Sequence, residues 1–165
     1  MRFSERVSGL VHSPIGAAHA LVGLRSNDRP LLDLSQAAPS FPPADAVVSR
    51  IAEVATEPDS GRYPPQPGLP ELREAFAADL SSGYEGQIGP DSVLITAGCN
   101  QAFCVVASAL TAPGDEAILV QPFYFNHDMW LRIEGVKVRY LNPGQSLIPD
   151  PRQAESLITE KTKLI

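Results

Sequence analysis

Apolar and polar positions alternate along this chain in two regimes. Up to about residue 90 the apolar residues recur at helical spacing. Val47, Val48, Ile51, Val54 and Ala55 follow the i, i+3, i+4, i+7 rule and predict a helix starting at Pro43 or Ala44. Leu72, Phe76 and Leu80 share one face of a second helix that opens at Pro70. Ser13-Pro14, a capping residue followed by a proline suited to a first helical position, predicts a helix toward Arg25. Leu31 to Leu34 is a short apolar run and reads as a strand. Gly61 to Gly68 is a proline-rich irregular loop.

From Ser92 onward short apolar runs alternate with helical stretches. Val93 to Thr96 predicts a strand and Asn100 to Leu110 a helix. Ala117 to Val120 predicts a strand, Asn126 to Glu134 a helix, Val136 to Leu141 a strand and Pro151 to Ile158 a helix. Lys163 to Ile165 opens a further strand. Such alternation predicts an α/β fold, a mostly parallel sheet with helices on its faces.

Composition narrows the picture. Of 165 residues, 44% are apolar and 19% charged, the balance of a globular domain able to bury a core. A net charge of −6 argues against a nucleic-acid surface, but not against a small anion site built from backbone amides. Ser92 to Gly114 carries no charge, yet Thr96, Gly98, Asn100, Gln101 and Pro113 interrupt it, and its helix is too short to span a bilayer. The N-terminus, Met-Arg-Phe-Ser-Glu-Arg-Val, shows no signal-peptide pattern, so a cytoplasmic location without membrane attachment is expected. Cys99 and Cys104 lack the partners of a metal site and read as buried apolar residues of a reduced protein; no metal is expected.

Three places carry candidate chemistry. Gly98-Cys99-Asn100 stands between an apolar strand and a helix. There the glycine permits a tight turn, and the Cys99 and Asn100 amides would face outward at the positive end of the helix dipole. Taken alone, such a turn is more often structural than anion-binding. Phe123-Tyr124-Phe125 follows the strand Ala117 to Val120, at the carboxyl end where open α/β sheets bind ligands. Three successive aromatics cannot all face the core, so one should line a cleft. Tyr63 in its proline-rich loop reads locally as a surface residue. His127 reads as a solvated or structural residue, and His12 and His19 receive no role.

Two stretches taken together say more. Tyr63-Pro-Pro-Gln-Pro-Gly68-Leu-Pro-Glu-Leu72-Arg73-Glu-Ala-Phe76 and Val93-Leu-Ile-Thr-Ala-Gly98-Cys99-Asn100-Gln-Ala-Phe103 closely resemble the class I/II aminotransferases. These belong to the fold-type I enzymes dependent on pyridoxal 5'-phosphate (PLP). Pro113-Gly114-Asp115-Glu116 through Pro122-Phe123-Tyr124 resembles a further family signature, and Asp33 to Phe41 resembles an early substrate-side segment. The resemblance implies a partial PLP-transferase (aspartate aminotransferase-like) large domain. Residues 1–42 would be an N-terminal arm or small-domain segment, and 43–165 the N-terminal part of the PLP-binding large domain. It implies that Gly98, Cys99 and Asn100 cradle the cofactor phosphate and that Tyr124 stacks on its ring. Tyr63 would reach the phosphate of a partner subunit's cofactor in a homodimer. Ala37, where the family favours glycine, would lie beside the substrate carboxylate.

The implied reaction moves an amino group from an amino acid to a 2-oxo acid. It needs a Schiff-base lysine, and the lysines present, Lys137, Lys161 and Lys163, do not stand in the family's setting for it. The expectation is an N-terminal fragment with no catalytic residue of its own, inactive and poorly stable when alone. Alternatives of the same scaffold are a PLP-dependent lyase or decarboxylase, and a non-enzymatic ligand-sensing domain of a regulator. The latter would carry a winged helix upstream, for which the resemblance, beginning near Phe3 and Ser13, leaves no room.

Overall fold

The computed structural model describes residues 3–9, 13–26 and 29–165; His12 lies outside them. In chain order the elements are α1 (Glu5–Ser8), α2 (Pro14–Val22), α3 (Asp45–Thr56), α4 (Pro70–Gly83), α5 (Cys99–Leu110), β1 (Glu116–Val120), α6 (Phe125–Ile133), β2 (Lys137–Leu141), α7 (Pro151–Glu155) and β3 (Thr162–Leu164). They fall into two compact units. One joins the residues up to Ser35 with Ala97–Ile165, and the other is Gln36–Thr96.

The first unit is built on a parallel sheet in the order β2-β1-β3. In β1 the side chains alternate between faces, as the two-residue repeat of a strand requires. Ala117 packs with Ala107 of α5, Leu131 of α6 and Val136, supported by Phe103, Trp130 and Val138. Ile118 packs with Leu141 and Ala154 of α7. Helices therefore cover both faces. The chain leaves β1 for one neighbour through α6, then crosses back past β1 through α7. A reversal of direction with the connecting helix on the opposite face keeps both crossovers the same hand. This is the α/β architecture expected, and burial of Ile118 and Leu131, each 1% exposed, contributes about 1.5–3 kcal/mol apiece.

At the amino edge of this sheet Glu116 is buried, at 6% exposure, and fully partnered. Arg139 donates to both its oxygens at 2.7 and 3.1 Å, and the Thr159 hydroxyl donates at 2.9 Å. These bonds hold its carboxyl below the ordinary glutamate range against the opposing effect of burial.

In the second unit, Pro70 occupies the first turn of α4, whose Ala77 is buried. Arg73 ties α4 to the turn at Pro90–Ser92, donating to the Val93 carbonyl at 3.0 Å and the Pro90 carbonyl at 2.6 Å. Gly68 has φ of 106°, and a Cβ there would lie 2.5 Å from Ile95 Cγ1. Only glycine lets the chain pass Ile95 so closely. Gly68 and Arg73, two members of the first stretch, thus have structural roles inside this unit. α3 buries none of its residues; Ile51 is 64% exposed.

Two strand expectations are corrected. Leu31–Leu34 forms no ladder: Leu32 and Leu34 are exposed, and the Asp33 carboxylate turns the chain by accepting the Ser35 amide at 2.9 Å. Val93–Thr96 is extended at Val93 but is not a strand. Its Ile95 amide bonds the Pro67 carbonyl at 2.9 Å instead of a neighbouring strand. An apolar run becomes a strand only where an adjacent edge supplies hydrogen bonds. α7 ends at Glu155, short of Ile158, where the chain closes in tight turns with the Leu157 and Ile158 amides on Ala154.

Candidate active site

Topology brings two helix starts to one place. α5 feeds β1 and so runs back along it, which puts its first turn at the carboxyl edge of the sheet. α6 leaves from that same edge. The two N-termini, each the positive end of a helix dipole, consequently lie side by side.

Gly98 is the residue before α5, with φ 87° and ψ 169°, a conformation essentially confined to glycine. Among the described residues, a Cβ on it would meet nothing within 4 Å. The Gln101 side chain folds back to accept the Ala97 amide at 2.5 Å, a variant of the capping box. Among the described residues, no acceptor engages the amides of Cys99 or Asn100. Cys99 is exposed and Cys104 half-buried, both as free thiols. The expectation of two buried cysteines therefore fails at Cys99, whose place in the first turn of α5 is left exposed by its neighbours.

Tyr124 stands at the start of α6, four residues beyond β1. Its hydroxyl accepts from Asn126 Nδ2 at 2.9 Å, and the same nitrogen lies 3.4 Å from Asn100 Oδ1. The Tyr124 ring meets His127 edge-on at 5.5 Å, and His127 stacks on Phe103 at 4.0 Å. Burial lowers the pKa of His127, which favours the neutral ring. Phe123 turns the other way and stacks on Tyr140, whose hydroxyl donates to Asp128 at 2.7 Å; Arg132 binds both. The aromatic run thus divides, with Phe123 on the strand residue Tyr140 and Tyr124 exposed beside Asn126. Beside the two asparagines lies a cavity of about 240 Å³, its wall formed in part by Phe103, Met129 and Trp130.

Gly98, Cys99, Asn100 and Tyr124 therefore lie in one unit, with the side chains of Asn100 and Tyr124 on a common neighbour. Tyr63 and Ala37 belong to the other unit, where both are exposed. Asn126 was missed by sequence reasoning; an amide two residues past an aromatic carries no signal until its neighbour across α5 is known. Among the described residues no cluster of His, Cys, Asp and Glu could hold a metal ion, and no helix is long and apolar enough to cross a membrane.

These features suit a phosphate and an aromatic ring. The Cys99 and Asn100 amides can offer donors, and Tyr124 a ring face and a hydroxyl, to a ligand at this edge.

Comparison with known proteins gives the same direction. The sequence profile described as aminotransferase class I and II matches residues 29–165. The aspartate/prephenate aminotransferase of Thermus thermophilus is 30% identical over 166 residues, covering 98% of this chain and 43% of the relative. The Arabidopsis thaliana aromatic aminotransferase ISS1 is 33% identical over 131 residues, 78% of this chain and 33% of the relative. A solved structure of a Thermus thermophilus aspartate aminotransferase mutant superimposes with a TM-score of 0.88 at 29% identity, covering 99% of this chain and 44% of that one. The chain thus spans a third to less than half the length of these relatives. On this match, and with the fold shared, the chain belongs to the class I and II aminotransferase family.

Proposed function

We propose that this chain is the N-terminal part of a PLP-dependent aminotransferase that transfers an amino group from an amino acid to a 2-oxo acid. The observation that carries the reading is the convergence of α5 and α6, which sets unengaged amides, a glycine turn and an aromatic hydroxyl at one edge of the sheet. Gly98, Cys99 and Asn100 would bind the phosphate, and Tyr124 would orient the ring by stacking, worth about 0.5–1.5 kcal/mol beyond burial. When bound, the cofactor supplies the electron sink for the amino-group transfer. The chain's own residues contribute binding and orientation, through neutral donors and helix dipoles in place of lysines.

Tyr63 would serve the cofactor of a second subunit in a homodimer, and Ala37 would lie beside the substrate carboxylate. Residues 1–42 would form the arm or small-domain segment, and 43–165 the start of the large domain. The relatives are named for different amino acids, aspartate and aromatic ones, so the reading is made at the level of class.

Lys137 begins β2, Lys161 bonds the Glu116 amide through its carbonyl, and Lys163 lies in β3, exposed. The first two sit at the amino edge, away from Tyr124. We therefore expect the 165-residue chain alone to bind the cofactor's phosphate and ring but not to transaminate. Equilibrium binding of pyridoxine 5'-phosphate, which has no aldehyde to react with surface lysines, tests this against pyridoxine. Phosphate-dependent binding without transaminase activity supports the reading. Equal binding of the two compounds, or full activity of the chain alone, would overturn it.

A further inference from the structure

We infer that Asn126 is a positioning residue that makes the proposed phosphate site a surface of donors only. The inference rests on the proposed function and deepens it. An amide nitrogen carries two hydrogens. At Asn126, Nδ2 gives one to the Tyr124 hydroxyl oxygen at 2.9 Å and aims the other at Asn100 Oδ1 at 3.4 Å. The first bond is short and the second long, so Asn126 holds Tyr124 firmly and Asn100 more loosely.

Each contact occupies an acceptor that would otherwise face the cleft. With its oxygen engaged, Tyr124 keeps its hydroxyl hydrogen for a ligand. With Oδ1 engaged by Asn126, Asn100 keeps the hydrogens of its own amide nitrogen for other acceptors. What remains toward an anion is a set of donors from two helix starts. Asn126 is itself in the first turn of α6 and half-buried, with its neighbour His127 stacked on Phe103. It can thus act across the two helices without touching the ligand.

Two substitutions separate this role from a structural one. Asn126→Ala removes both donations. Asn126→Asp keeps the shape but offers acceptors only, so Tyr124 and Asn100 must turn their hydrogens inward, away from the anion. A carboxylate in the first turn of a helix is favourable to the helix itself, so this variant should unfold at the same temperature as the parent or higher. The measurement is binding of pyridoxine 5'-phosphate to the full chain by quenching of Trp130, the chain's one tryptophan, which lines the adjoining cavity.

The expected result is binding weakened about tenfold in Asn126→Ala and further in Asn126→Asp, the latter with undiminished thermal stability. In a chain already carrying Tyr124→Phe and Asn100→Ala, Asn126→Ala should then weaken binding by no more than about twofold, since its partners are gone. Unchanged affinity in Asn126→Ala, or a full tenfold loss in that double background, would overturn the inference and leave the proposed function standing. Failure of the parent chain to prefer pyridoxine 5'-phosphate over pyridoxine would instead overturn the proposed function, and this inference with it.

Discussion

Two glycines with left-handed φ make opposite demands, and replacing each by alanine separates them. At Gly98 the backbone, φ 87° and ψ 169°, disfavours any L side chain by about 1–3 kcal/mol. A Cβ there meets nothing within 4 Å among the described residues, so they add no contact strain. Alanine also stiffens the unfolded chain, which returns about 0.4–1 kcal/mol. The net loss for Gly98→Ala is about 1–2 kcal/mol. At Gly68, φ is 106° and the new Cβ would lie 2.5 Å from Ile95 Cγ1 and 2.7 Å from Ile95 Cβ. The second atom is fixed to the backbone and cannot swing aside. Overpacking adds about 1–3 kcal/mol to the backbone strain, giving a total of about 3 kcal/mol.

Urea unfolding followed by far-UV circular dichroism and by Trp130 fluorescence reads both variants, the fluorescence reporting on the unit that contains Gly98. Gly68→Ala should lower the circular-dichroism midpoint more than Gly98→Ala. Gly98→Ala should abolish binding of pyridoxine 5'-phosphate while most of the fold survives, because its methyl stands at the turn before α5. A neutral Gly68→Ala, or a Gly98→Ala that unfolds the chain more readily, would refute the reasoning.

Other consequences are as direct. Leu131→Ala, which empties the centre of the packing between α6 and β1, should destabilise by about 2–5 kcal/mol, read as a lower urea midpoint. Arg73→Met should loosen α4 from the Pro90–Ser92 turn by leaving the Val93 and Pro90 carbonyls without their donor, read as faster amide exchange around Val93. Glu116 has its pKa lowered by the hydrogen bonds from Arg139 and Thr159, so its contribution is present above its ordinary value of 4.5 and is lost as pH falls through the lower folded value. Glu116→Gln should therefore flatten the acid limb of a stability profile. His127, lowered by burial, acts nearer neutrality: the unfolded chain takes up its proton first, so stability declines as pH falls below about 6.5, and His127→Gln should remove that decline.

The helices were legible in the sequence because their signals are local. Pro70 and Pro14 stand at first-turn positions, and the α3 periodicity needs no knowledge of what covers it. Strands depend on a partner, and that is where the reading failed. Val93–Thr96 has the same apolar character as Ala117–Val120, yet only the latter lies between two edges that complete its ladder. Leu31–Leu34 lacks such an edge among the described strands and is turned by Asp33. The cysteine reading failed at Cys99 for a related reason: frequency of burial describes a residue type, whereas exposure of Cys99 depends on what packs over the first turn of α5.

The candidate site divides along the same line. The glycine turn at Gly98 and the position of Tyr124 after β1 could be read from order and spacing, because the direction of a strand and of the helix that feeds it dictates which ends coincide. The Asn126 bridge could not, since it depends on two side chains 26 residues apart meeting across two helices. The sheet's edges then acquire different chemistry by topology alone. At its amino edge the buried Glu116 is neutralised by the partly exposed Arg139. At its carboxyl edge the groups around Tyr124 are amides, a hydroxyl and an imidazole whose burial disfavours charge. A chain of net charge −6 repels anions at long range. An anion can be held at such an edge only by short-range donors, which is the arrangement that the turn at Gly98 and the amide of Asn126 create.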